Sequence, residues 1–176
     1  MIITISGRPG SGKSVVASRV AEALDMAHAS AGDFMREMAR ERGLSILELS
    51  KVAEESVAID REIDERTTHL ATQGGALVID ARLGWHFVPE SVKVFLEVSP
   101  DVAARRIFEA YRGTEQENID LETTRRAMEE RTKSETERYL DYYGLDYTDH
   151  GHYDLVIDTS ELTINQVVGR IVDHIQ

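Results

Sequence analysis

The chain has 176 residues, a formal net charge of −12, 30% charged side chains and no cysteine. A domain of this length buries roughly 70% of its unfolded surface, so neither a disulfide nor a metal is needed to hold its core. The lack of Cys excludes zinc ribbons, CxxC redox pairs and thiol nucleophiles. The negative balance argues against a nucleic-acid polymer as partner, because phosphate backbones call for a basic face.

Taken in chain order, apolar runs predict strands at 2–6, 27–30, 76–80, 92–98 and 153–158. Helical periodicity fills 13–24, 32–42, 46–71, 101–111, 121–142 and 164–175. Short strands alternating with helices predict an α/β fold: one domain, a five-stranded parallel sheet with helices on both faces, and ligands at the carboxyl ends of the strands. No basic start followed by an apolar stretch marks a signal peptide, and no window approaches the eighteen apolar residues of a membrane span. The expectation is a cytoplasmic protein without a membrane partner.

Directly after the first predicted strand, Gly7-Arg8-Pro9-Gly10-Ser11-Gly12-Lys13-Ser14 matches the phosphate-loop pattern GxxxxGK[ST] and opens a helix. Glycines let the backbone curl so that successive N–H groups meet phosphate oxygens, and the helix start adds partial positive charge. Lys13 is expected to reach the β- and γ-phosphates of ATP, and the Ser14 hydroxyl to hold Mg²⁺. The spacing is not GxGxxG, so a dinucleotide site is disfavoured.

The segments beyond the loop decide which kind of phosphate-loop protein this is. There is no NKxD, so a GTPase switch is unsupported, and Asp141-Tyr142-Tyr143-Gly144 spells DxxG only at the end of a charged helix. After the second strand the chain reads Ser30-Ala31-Gly32-Asp33-Phe34-Met35-Arg36, not the DxD of shikimate-type kinases. No second strand with paired carboxylates suggests a motor ATPase. The third strand ends in Asp80-Ala81-Arg82, and the long charged helix carries Arg131, Glu135 and Arg138 at i, i+4 and i+7, on one face. Plainer readings exist for each set: a helix start with a solvated Arg, a strand-end ion pair between Asp80 and Arg82, and a solvated charged helix.

In this order the motifs resemble those of the cytidylate kinases, most closely the compact archaeal type, along nearly the whole chain. The Ser30–Arg36 segment is similar to their S-x-G-x-x-x-R, Asp80-Ala81-Arg82 to D-G-R, and Arg131/Glu135/Arg138 to R-x-x-x-D-x-x-R, with Ala81 and Glu135 as departures. The resemblance implies ATP-dependent phosphorylation of CMP or dCMP with Mg²⁺, by a monomer with mobile acceptor-binding (31–75) and lid (about 105–138) segments around a core of 1–30, 76–104 and 153–176. It implies that Ser30, Gly32, Arg36, Asp80, Arg82 and Glu135 bind the acceptor, with Arg82 at the base edge or, as a second possibility, at phosphate. Asp80 would order Mg²⁺-bound water. Lys13, Arg105, Arg106, Arg131 and Arg138 would carry the positive charge of catalysis, and Thr159, in Asp158-Thr159-Ser160, would lie under the ATP adenine unless that tripeptide only caps the last helix. Another small-molecule kinase and a nucleotide-binding module without turnover are the alternatives.

Three features fall outside these motifs. Asp60 and Asp64, in Ile59-Asp60-Arg61-Glu62-Ile63-Asp64, share a helix face that is either solvated or turned to the acceptor. Trp85 and Phe87 are candidates for core packing or for stacking on a base. His150-Gly151-His152 lacks a nearby third metal ligand and reads as a surface pair.

Overall fold

The computed structural model describes residues 1–111 and 120–176. Its strands β1 (Ile2–Gly7), β2 (Ala27–Ser30), β3 (Leu77–Asp80), β4 (Val92–Glu97) and β5 (Leu155–Asp158) form one parallel sheet in the order β2-β3-β1-β4-β5. The helices are α1 (Lys13–Ala23), α2 (Ala31–Glu41), α3 (Ile46–Glu55), α4 (Ala58–Thr72), α5 (Gly84–Phe87), α6 (Pro100–Tyr111), α7 (Leu121–Tyr143) and α8 (Ile164–Ile175).

Strand alternation divides the interior. Ile3, Ile5, Val78, Val94 and Leu96 point to one face, where Val16 and Val20 of α1 and Val167 and Ile171 of α8 close over them. On the other face Phe95 and Leu83 meet Trp85 of α5, Tyr139 of α7 and Tyr147. The two polar residues of the central strand also turn that way: Thr4 pairs with the Ser91 hydroxyl at 2.9 Å, and Ser6 donates to the Arg82 carbonyl at 2.9 Å. Helices α2, α3 and α4 bury Met38, Leu49, Ala53 and Ile59 in a cluster of their own beside the sheet.

The continuous helix expected over 46–71 is two helices. Ser56 takes an extended conformation, φ −149° and ψ 125°, and its Oγ accepts from the Ala58 amide at 3.3 Å. A serine offers the backbone a competing partner, while the apolar periodicity runs on because Leu49, Ala53 and Ile59 pack into one cluster. Helix α5 was not expected, since a single turn is too short to show a period. The expected lid includes residues 112–119, which lie outside the described residues. No helix among the described residues is long and apolar enough to cross a membrane.

Candidate active site

Strand β1 runs into the phosphate loop, which is held by its carbonyls. Arg82 Nη1 donates to the Gly7 carbonyl at 2.8 Å, Thr159 Oγ1 lies 3.2 Å from the Ser11 carbonyl, and Arg106 Nη1 is 3.4 Å from the Gly10 carbonyl. Anchoring the carbonyls from outside turns the concave side over to amides, and those opening α1 have no intrahelical acceptor. Gly10 sits at φ 79°, where a Cβ would lie 2.8 Å from the Ala103 backbone of α6, so only glycine fits both the conformation and the space.

Lys13, opening α1, lies against Asp80 at the end of β3, and Ser30, at the end of β2, donates to the other Asp80 oxygen at 3.3 Å. The register that pairs Ser30 with Asp80 places the two motif residues side by side. Burial, and next the neighbouring Arg82, push the Lys13 ammonium well below its ordinary range, so this position requires an anion beside it. For a magnesium ion, Ser14 presents an exposed hydroxyl in the first turn of α1. Asp80 is 1% exposed and occupied on both oxygens, so it would serve such an ion through water or after Lys13 moves to phosphate.

The strand-end ion pair between Asp80 and Arg82, the plainer alternative for these residues, is not formed. Arg82 instead donates from Nε to Glu135 Oε2 at 3.0 Å and lies 5.6 Å above the Tyr147 ring centroid. Glu135 also accepts from Arg131 Nε at 3.0 Å. Burial would raise the Glu135 carboxyl, but Arg82 and then Arg131 outweigh it and hold it at about 2. With Nε on Glu135 and Nη1 on the Gly7 carbonyl, Arg82 bridges α7 and the phosphate loop, a placement that favours its second possibility, a phosphate contact.

Arg138 corrects the expectation of a solvated lid residue. Its side chain is only 15% exposed, and Nε lies 2.9 Å from Asp60 Oδ2 on α4. The two atoms attract without a hydrogen-bonding alignment, and Nη2 is 3.5 Å from Oδ1. The pairs of Tyr139 with Tyr143 and of Tyr139 with Tyr147 tie this end of α7 to the core. Asp60 is likewise not on a solvated face: it is 8% exposed, and Asp64, one turn on, accepts from the Tyr143 hydroxyl at 2.6 Å.

Other expected site residues are placed differently from one another. Arg36 is exposed and pairs with Asp33, and Gly32 faces both Ser30 and Arg36: a Cβ there would lie 3.4 Å from Ser30 Oγ and 3.6 Å from Arg36 Nη1. Arg131 is largely exposed beyond its bond to Glu135. Arg105 is exposed, whereas Arg106, one residue on, bonds Thr159 Oγ1 at 3.1 Å and the Thr159 carbonyl at 2.6 Å. Thr159 is 2% exposed, so its side chain braces the loop from behind and is not open to an adenine. Arg8 and Pro9 sit on the rim, with Arg8 bonded to Glu97. Trp85 is core, stacked on His152 at 4.2 Å, and His150 Nε2 lies 3.2 Å from Glu97, which uses both histidines of the surface pair.

The geometry assembles Lys13, Arg82, Arg131 and Arg138 around buried carboxylates beside a phosphate loop. Sequence reasoning missed the partners Tyr143 and Tyr147, and left Asp60 and Asp64 between a solvated face and the acceptor. The neighbouring Ile59 and Ile63, which pack inward, were the one sign that Asp60 and Asp64 border a buried face.

Residues 2–161 match the model of the cytidylate kinase-like family. A cytidylate kinase of Methanothermobacter thermautotrophicus is 42% identical over 160 residues, covering 91% of this chain and 96% of that protein. An S-adenosylmethionine-dependent nucleotide dehydratase of Lacinutrix mariniflava is 39% identical over 99% of this chain, which spans only 36% of that protein's length. Among solved structures, a shikimate kinase from Bacteroides thetaiotaomicron superposes with a TM-score of 0.66 at 19% identity, covering 99% of this chain and 98% of that one; that likeness is one of fold. The phosphate loop, the Ser30–Asp80 pairing and the arginine cluster thus sit in a chain that belongs to the cytidylate kinase-like family.

Proposed function

We infer that the protein transfers the γ-phosphoryl group of ATP to the phosphate of CMP or dCMP, giving the nucleoside diphosphate and ADP. The observation that carries this reading is the gathering of Lys13, Arg82, Arg131 and Arg138 at one place in a chain of net charge −12. A cation cluster of that kind, beside a phosphate loop, matches two polyanionic substrates.

The acceptor phosphate has a second pKa near ~6 and is largely dianionic at neutral pH, so it attacks without a general base. Its oxygen forms the new bond to the γ-phosphorus as the bond to the ADP oxygen breaks. The protein's part is to position both phosphates and neutralise their charge. The loop amides and Lys13 hold the donor phosphates. Arg82 and Arg138 exchange Glu135 and Asp60 for acceptor and transferring phosphate, Arg131 adds charge from the rim, and Ser30 and Arg36 hold the acceptor phosphate from its other side. Magnesium, held at the Ser14 hydroxyl with Asp80 behind it, would supply further neutralisation of the donor phosphates.

The test is ADP release from the purified protein with ATP, Mg²⁺ and a panel of CMP, dCMP, UMP, AMP and shikimate. Turnover highest with CMP or dCMP supports the reading. ATP binding with no acceptor-dependent ADP release, or preference for UMP, AMP or shikimate, overturns it.

A further inference from the structure

The four clustered cations account for phosphates and leave the base of the acceptor without a partner. One helical turn along α4 from the Asp60–Arg138 pair lies a cavity of about 530 Å³, lined by Arg61, Asp64, Glu65, Thr68 and His69 of α4, Phe87 of α5 and Tyr143 of α7. It continues the seam in which α4 and α7 already meet. Asp60 grips Arg138 at one level, and Asp64 with Tyr143 forms the next level one helical turn away. A nucleotide with its phosphate at Arg138 would extend along this seam into the cavity.

Of the two carboxylates lining that cavity, Asp64 and Glu65, Asp64 is the one fixed by a hydrogen bond and suited to a base edge. Its Oδ2 accepts from Tyr143, which fixes the carboxylate, and Oδ1 has no donor among the described residues. Cytosine presents an amino group where uracil presents a carbonyl oxygen, so an ionised carboxylate accepts from the first and repels the second. Phe87 supplies an aromatic wall, edge-to-face with Tyr143 at 5.7 Å. We propose that Asp64, held by Tyr143, is the specificity-determining residue that accepts from the exocyclic amino group of the acceptor base. The proposal rests on the kinase reading above and adds the residue that selects an amino pyrimidine.

The same placement predicts a pH signature. Burial raises the Asp64 carboxyl to about 6, with the Tyr143 hydrogen bond opposing and Asp60 and Glu65 assisting. The other titratable or charged groups lining the cavity are Arg61 and His69 of α4; α5 contributes only Phe87. Below that pH a protonated Asp64 becomes a donor that suits the uracil oxygen, so selectivity declines. The acceptor phosphates of CMP and UMP titrate alike, and the ratio of their kcat/KM values cancels that effect.

The experiment measures kcat/KM for CMP and for UMP between pH 5 and pH 8, in wild type and in Asp64→Asn. A site built to hydrogen-bond a polar group discriminates strongly against an analogue lacking it. The expected result is a CMP-to-UMP ratio that falls on the order of 10²-fold in Asp64→Asn, with the KM for ATP unchanged and the pH dependence of the ratio lost. Tyr143→Phe, which frees the carboxylate without removing it, should lower the ratio by a smaller factor. An Asp64→Asn enzyme that folds by circular dichroism and keeps the wild-type ratio overturns this inference alone. Wild-type protein that phosphorylates neither CMP nor UMP overturns the kinase reading and this inference together.

Discussion

The phosphate loop and the seam between α4 and α7, which on the function proposed above would both meet phosphate, are built by opposite means. In the loop, backbone does the work: carbonyls of Gly7, Gly10 and Ser11 are anchored by Arg82, Arg106 and Thr159, and the amides opening α1 stand ready. Little has to move when phosphate arrives. In the seam, side chains do the work, and each cation is held by a carboxylate: Arg82 by Glu135 and Arg138 by Asp60. Lys13, held by Asp80, joins the two regions. An acidic protein thus gives each buried cation of this cluster a carboxylate partner, which on the proposed mechanism phosphate would replace. The carboxylates prevent the repulsion that bare arginines would impose, at the cost of an exchange when substrate binds.

The sharpest way to break this comparison is Lys13→Ala. Turnover should fall by 10³ or more, since the donor phosphates lose their point charge. Lys13 is also the cation beside a carboxylate that is 1% exposed, so the change should cost roughly 3 kcal/mol, because an uncompensated buried charge remains. That corresponds to a fall in Tm of roughly 6–12 °C at pH 7. Adding Asp80→Asn should restore most of the Tm and none of the activity. An unchanged Tm in the single variant would show that the pair carries no stability.

Arg138 tests the seam. Arg138→Ala should lower kcat by 10²–10⁴, with smaller changes in either KM, because its attraction to the transferring phosphoryl matures in the closed, drier site. Arg138→Lys should recover only part, since an ammonium lacks the planar fork. Steady-state kinetics at saturating ATP and CMP decide it. A kcat within threefold of wild type would leave Arg138 as nothing more than a partner of Asp60.

The smallest expected effect sharpens the same contrast through pH. The Asp64 carboxyl is raised to about 6 from an ordinary 3.8. A raised folded value means that the protonated form is favoured by folding, so this group's contribution is fully present below its unfolded value and is lost as pH rises through about 6. Asp64→Asn, which stays neutral, should therefore be the more stable protein at pH 8, by about 1 kcal/mol once solvent screening is allowed for. The gap in Tm should close toward pH 4. Thermal melts of both proteins across that range would show it, and a gap that widens on acidification would reverse the assigned sign.

Much of this site is legible in the amino-acid sequence because its signals are local. The phosphate loop needs a strand, a run of glycines and a helix in immediate succession, and residues 2–14 supply all three. The strands of the sheet follow from apolar runs, and Ser30 and Asp80 lie at strand ends that any parallel arrangement brings to one edge. Arg131, Glu135 and Arg138 share a helix face by spacing alone.

What the spacing could not decide was who neutralises whom. Glu135 joins Arg131 across one turn, but Arg82, fifty-three residues away, is its second partner. Arg138 turns to Asp60 on another helix. Asp60 and Asp64 look like any exposed acidic pair until α7 covers them, and Thr159 looks like a ligand until Arg106 and Ser11 enclose it. Local sequence by itself determined the fold, the phosphate loop and the list of charges, because backbone propensity and strand ends depend on near neighbours. The tertiary structure alone decided which charges are buried, which are paired and which carboxylates line the cavity between α4, α5 and α7, because desolvation and Coulomb energy depend on distances between segments far apart in the chain.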